Sequence, residues 1–272
     1  MKRPHVRTVQ AFALASSLGV SAHAEDLRSY PYPCVEHVHR VGSGLDAHVL
    51  VIDLACGEVE VLASRPEQRQ DMVSRFARDH HVQIAINANF FESSTCGLAM
   101  GEGVVWSDAY RDRCAASVAF GWGAVGTRTA CFRSLDNTRV CPVSWARHVV
   151  TGWPTLLRDG AIVFDPEDPL GMYRTHPRTA LGLTPGGANL VLAVIDGRRT
   201  GAVGVTSLEM IPLLEEFGVS DAINLDGGGS SALYIESEGG LVNRPSDRRE
   251  RPVVNHLGIR ITTARAAQWT RP

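Results

Sequence analysis

The sequence predicts an α+β fold, a single domain with a mixed, mostly antiparallel sheet and few helices. Short apolar strand-like runs recur along the chain, and helical spacing is confined to brief segments. No long linker, tandem repeat or low-complexity block divides it. At 272 residues and 44% hydrophobic content, the chain can bury a full core.

Taken in order, HVLVIDL (48–54) and EVEVLAS (58–64) read as a hairpin turning at Cys56-Gly57. DMVSRFARDH (71–80) has helical spacing, with Met72, Val73, Phe76 and Ala77 on one side. VQIAINANFF (82–91) is a buried strand ending in asparagines, and 92–145 is a Gly-rich, cysteine-bearing region of short strands and loops. TALGLT and NLVLAVIDG form a second hairpin across Pro185-Gly186-Gly187. SLEMIPLLEEFG is a helix, with Thr206 and Glu209 at capping-box spacing and Gly218 as its stop. Pro212 lies deep enough to kink that helix or delay its start. INLDGGGSSALYI (223–235) and NHLGIRIT (255–262) complete the strands.

Residues 1–24 have the pattern of a secretory signal peptide: MKRPHVR, then the apolar VQAFALASSLGV, then the small-residue site Ala22-His23-Ala24. An exported, periplasmic or extracellular protein is therefore expected, with residues 25–272 as the folded domain and no stable membrane insertion. Removing 1–24 takes away Lys2, Arg3 and Arg7 and no acid, so the net charge moves from −2 to −5. A mildly acidic chain without a basic block argues against nucleic acid as a partner. The mature chain has no lysine, which excludes a lysine Schiff base and a lysine-bearing phosphate loop. The six cysteines suggest disulfides in an exported chain, with neighbour pairing 34–56, 96–114 and 131–141 closing the shortest loops.

Apolar strands end in polar groups at Asn87 and Asn89, at Asp196 and at Asp226. Side by side on one sheet, these ends would share a crevice. Gly227, Gly228 and Gly229 allow positive φ and close approach to a ligand, and successive amides there can form a concave anion site. A wide hairpin turn is the structural alternative for the same glycines. Ser230 and Ser231 have no nucleophile elbow around them and are expected to donate hydrogen bonds. Arg178 and Arg198 flank the hairpin of TALGLT and NLVLAVIDG and suit a phosphate-bearing ligand. No His/Cys/Asp cluster has metal-site spacing, so no metal or other cofactor is assigned; calcium held by Asp226 and carbonyl oxygens stays open.

NANFF, TGWPTLLRDG, HPRTALGLT, VIDGRR and INLDGGGSSALYI together resemble the phosphodiester glycosidase family, over roughly residues 80–262. The chain departs from it at Asn89, where the family has glycine, and at Pro212 in the helix. The resemblance implies hydrolysis of a sugar-1-phosphodiester, such as one on a phosphorylated glycan, at the anomeric carbon. It makes Asp226 the base or nucleophile and Asp196 its partner, or the orienter of an arginine. Arg178, Arg198 and the 227–229 backbone would hold phosphate. Asn87, Asn89, Thr151, Gly152 and Trp153 would contact the sugar. Glu209 is a further acid or a helix cap, and His176 a proton carrier or a structural residue. A non-catalytic binding module for phosphorylated envelope glycans and a phosphodiesterase cleaving the P–O bond are the alternatives.

Overall fold

The computed structural model describes residues 24–91, 95–109, 116–122, 128–133, 145–163 and 173–262. The fold is α+β and mostly antiparallel, with two α-helices among the described residues. The large sheet has the order β1 (Glu25–Tyr32), β2 (Val35–Gly42), β3 (Leu45–Asp53), β14 (Asn189–Ile195), β13 (Arg178–Leu183), β15 (Asp221–Leu225), β11 (Thr155–Arg158), β12 (Ala161–Ile162). A second sheet runs β17 (Gly240–Leu241), β16 (Leu233–Ile235), β5 (Ile84–Asn87), β18 (His256–Ile261), β4 (Val59–Ala63). A third joins β7 (Val104–Ala109), β6 (Gly97–Gly101), β10 (Ala146–Gly152), β8 (Ala116–Trp122) and β9 (Arg128–Arg133).

The first two sheets face each other, and strand alternation decides what each side chain meets. Leu181, Leu190, Leu192, Val194, Ile223 and Leu225 of the large sheet interlock with Ile84, Ile86, Leu233, Leu257 and Ile259 of the second. The intervening residues, Ala180, Val191, Ala193 and Ala222, pack against Met210, Ile211 and Leu214 of α2 (Ser207–Glu215). Ala85 of the second sheet meets Val73, Phe76 and Ala77 of α1 (Val73–Asp79). Two sheets thus lie between two helices. Strands covered on both faces need no polar side, which is why NLVLAVI is apolar without a break. Each fully buried Leu or Ile stabilises this stack by about 1.5–3 kcal/mol.

The hairpin predicted across Pro185-Gly186-Gly187 forms, in register from Arg178↔Ile195 to Leu183↔Leu190. The hairpin predicted at Cys56-Gly57 does not. β3 is flanked by β2 and β14, while β4 pairs with β18 in the other sheet. Both edges of β3 are already filled, so the chain turns at 54–57 and crosses between sheets. Cys34, in the β1–β2 turn, is disulfide-bonded to Cys56 in that crossing, with Cα atoms 6.3 Å apart. Cys96 is also disulfide-bonded; the expected partner Cys114 and the expected 131–141 pair lie outside the described side chains.

Helix α2 starts at Ser207 with Pro212 inside it, so the proline does not delay the start. Its first turn is closed reciprocally: Glu209 N–H donates to Thr206 Oγ1 at 3.2 Å, and Thr206 N–H donates to Glu209 Oε2 at 2.7 Å. Glu209 is therefore a helix cap. Among the described residues, no helix is long and apolar enough to cross a membrane.

Replacing Cys34 and Cys56 together by serine removes a cross-link over a sequence separation of 22 and should cost about 3 kcal/mol of stability. Urea unfolding of the two proteins measures this; equal midpoints would show that the bond is not a staple.

Candidate active site

β14 and β15 flank β13 and run opposite to it, so the start of β13 and the ends of β14 and β15 share one sheet edge. Asp196 and Asp226 therefore gather at that end of the sheet, as expected from their strand ends, and Arg178, the first residue of β13, joins them. Asn87 reaches it from the second sheet.

The DGGG segment is not a hairpin turn. β15 belongs to the large sheet and β16 to the second, so residues 226–232 cross the sandwich. The crossing is tight, and each glycine has its own reason. A Cβ on Gly227 would lie 2.8 Å from the Pro177 carbonyl oxygen. Gly228 has φ +62°, and a Cβ there would meet the Arg198 guanidinium at 3.1 Å. A Cβ on Gly229 would fall 2.1 Å from Asp247 Oδ2. The amides are less available than predicted: Gly227 N–H donates to Asp226 Oδ1 at 2.9 Å and Gly228 N–H to Pro177 O at 2.9 Å. The donors beside this loop are therefore mainly Arg198 and Arg251, which pack against it from other segments.

Asp226 is half-buried, and burial pushes its carboxyl up to about 6. The Ser230 hydroxyl, the Arg251 charge and the Gly227 amide hold it back from rising further. Arg251, from the segment before β18, donates from Nη2 to Ser230 Oγ at 2.7 Å and from Nε at 3.2 Å. With Oγ accepting from Arg251, Ser230 donates its own hydroxyl hydrogen to the Asp226 carboxylate. On the other side, exposed Arg198 lies along Gly228 and donates from Nη2 to His176 Nδ1 at 3.4 Å. Burial first, then Arg198, Arg178 and Arg174, lowers the His176 pKa, which keeps the ring neutral and able to accept that bond. Donors of N–H and O–H type around Asp226 suit an anion better than calcium.

The other candidates are mostly framework. Asp196 is 1% exposed and accepts from Asn243 Nδ2 at 2.9 Å, from the Arg244 amide at 2.9 Å and from Arg199 Nη2 at 3.1 Å. It orients an arginine, but that arginine is Arg199 and not Arg198. Arg178 is also buried; Nε donates to Val205 O at 3.1 Å and Nη2 to Arg174 O at 2.8 Å. Burial, then Arg198, lowers its pKa to about 10. Asn87 holds the Asp226 carbonyl, the Thr179 hydroxyl and the Ala232 amide. Asn89 holds the Cys96 and Leu98 carbonyls and the Thr151 amide. Thr151 donates its hydroxyl to Leu98 O at 2.7 Å, and a Cβ on Gly152 would strike Asn224 O at 2.3 Å. Trp153 exchanges two hydrogen bonds with Asn224. Ser231 is buried against Thr179, Oγ to Oγ 3.3 Å.

A model of the phosphodiester glycosidase family matches residues 80–260. The chain belongs to that family. The chain is 42% identical over 84 residues to the uncharacterised SPbeta prophage-derived protein YomE of Bacillus subtilis strain 168, a stretch covering 31% of this chain and 13% of that relative. Its fold is similar to the zebrafish N-acetylglucosamine-1-phosphodiester α-N-acetylglucosaminidase catalytic domain, auto-inhibited by its pro-peptide, with a TM-score of 0.63 at 22% identity, over 90% of this chain and 85% of that one. A hypothetical protein from Synechocystis matches with a TM-score of 0.63 at 15% identity, over 87% and 64%. A putative exported protein from Burkholderia pseudomallei K96243 gives 0.58 at 14%, over 79% and 74%. Membership and fold together support a glycosidase-type function.

Sequence reasoning missed Arg251, Asn243 and Asp247, which lie in the polar segment NRPSDRRERP (243–252). Its four arginines were the available signal. Asp247 forms an ion pair with Arg251 at 3.5 Å and brings a second carboxylate to the glycine loop.

The raised Asp226 pKa has a stability consequence. Its proton is held more tightly in the folded chain than at the ordinary 3.8, so folding is favoured at low pH and that advantage is lost as pH rises through about 6. Asp226→Asn should therefore stabilise the protein at pH 8, by roughly 3 kcal/mol at most, with the gain vanishing near pH 4. Thermal melts at the two pH values measure it; a gain independent of pH would remove burial of the charge as its cause.

Proposed function

We propose that this phosphodiester glycosidase is an exported hydrolase. Its reaction breaks the bond between the anomeric carbon and the phosphate oxygen of a sugar-1-phosphodiester. Water supplies the new hydroxyl on the sugar, and the phosphate leaves as a monoester. The observation that carries the reading is one carboxylate, Asp226, raised to about 6 in a loop flanked by Arg198 and Arg251. A carboxylate of that pKa is ionised at neutral pH and basic enough to take a proton from water or to attack the sugar carbon. A phosphomonoester is a good leaving group, so two guanidiniums stabilise its departure with little need for a strong acid. Asp196, fully hydrogen-bonded behind the loop, has the role of holding residues 243–244 in place.

Arg198 and Arg251 take the phosphate-binding role in this reading, and Arg178 supports the floor beneath them. A substrate of the N-acetylglucosamine-1-phosphodiester type is favoured by the fold shared with the zebrafish enzyme. Export is supported by the pattern of residues 1–24 and by the Cys34–Cys56 disulfide.

Asp226→Asn should lower kcat by about 10²–10⁴-fold, and the wild-type kcat/KM should rise with pH through about 6 as the carboxylate forms. In ¹⁸O-water the label should appear in the free sugar. Label in the phosphomonoester would overturn carbon–oxygen cleavage, and wild-type rates in Asp226→Asn would remove this residue from the chemistry.

Arg198→Lys keeps the charge but loses the planar fork, and should reduce kcat/KM for a sugar-1-phosphodiester by about 10–100-fold. Arg178→Lys should act on thermal stability instead, because its guanidinium is bonded to carbonyls within the fold. Equal kinetic losses in both, with unchanged melting, would count against this division.

A further inference from the structure

We propose that His39, Asp46 and His48 form a binding site for a divalent transition-metal ion of the zinc, nickel or copper class. His39 lies directly across from His48 in the β2–β3 pair, and Asp46 is two residues from His48, so strand alternation puts all three on one face. One ligand atom from each lies within 4.8 Å of the others. His39 Nε2 is 2.7 Å from Asp46 Oδ1, and His48 Nε2 is 3.9 Å from the same oxygen. These separations bracket the about 3.3 Å between ligands that tetrahedral bonds of 2.0–2.1 Å require.

The atoms behind the ligands are held as a metal site requires. The Glu238 carboxylate takes the Ser29 hydroxyl at 2.6 Å and lies 3.0 Å from His37 Nδ1. An ionised carboxylate only accepts, so a neutral His37 carries its hydrogen on Nδ1 and its lone pair on Nε2. His37 Nε2 lies 3.0 Å from His48 Nδ1, which must then be the donor. The His48 Nε2 lone pair is thereby turned toward Asp46, two acceptors facing one another with room for a cation. Arg199 bonds the other Asp46 oxygen, Oδ2, and leaves Oδ1 for the ion.

The His39 and His48 rings stack at 4.1 Å and 11°. On loading, His39 carries its hydrogen on Nδ1 and turns about Cβ–Cγ, a torsion with broad wells. Its side chain is 31% exposed, against 4% for His48, so the ion enters on the His39 side and keeps a position for water there. Imidazole and carboxylate ligands on one side with solvent on the other suit zinc, nickel or copper rather than magnesium.

The test is calorimetric titration of the chelator-treated, purified chain with Zn²⁺, followed by Co²⁺ titration read in the visible spectrum. One ion per chain is expected, and His39→Gln should weaken it by at least about 10-fold with unchanged melting of the metal-free protein. Ring-nitrogen NMR of the zinc-loaded wild type should shift Nε2 of both His39 and His48, which identifies the ligands even if the variant folds poorly. No stoichiometric uptake, uptake unchanged in His39→Gln, or unshifted Nε2 signals would each overturn the proposal.

Discussion

One buried amide, that of Asn87, holds the place where the two facing sheets exchange their chain. Its Nδ2 donates to the Asp226 carbonyl, and its Oδ1 accepts from Thr179 Oγ1 and the Ala232 amide. Asn87 belongs to β5 of the second sheet, Thr179 to β13 of the large sheet, and Asp226 and Ala232 to the two ends of the crossing loop. These four residues lie at the rim of an apolar interface, where an unpaired buried polar group costs about 1–3 kcal/mol. The loop can leave one sheet and enter the other only because this side chain meets its polar groups on the way. The glycines then let it pass within contact of Pro177, Arg198 and Asp247.

Asp196 and Asp226 show how far surroundings separate two similar residues. Each follows an apolar strand and precedes glycine, and burial raises the pKa of both. Asp196 is surrounded by Asn243, the Arg244 amide and Arg199, and these bonds hold the Arg244 segment against β14. Asp226 has fewer donors and keeps contact with solvent, so its carboxyl is open to chemistry. Arg178 and Arg198 divide in the same way. The first is buried and bonded to carbonyls; the second lies exposed along the glycine loop.

The sequence by itself determined the fold class and the local stops. Unbroken apolar runs such as LVLAVI call for strands covered on both faces. The capping box at Thr206 and Glu209 and the turn at 185–187 are set by residues close together in the chain. The convergence of Asp196 and Asp226 was legible too, because each directly follows the end of an apolar strand. Tertiary structure decided everything that depends on which edge a strand finds. β3 and β4 are adjacent in sequence, yet they part because β2 and β14 fill both edges of β3, and β4 pairs with β18 in the second sheet. The same is true of Arg251 on Ser230, a contact that no short spacing encodes. A local pattern records the face a residue presents, whereas its partner across a sheet or a loop depends on how the whole apolar surface is closed.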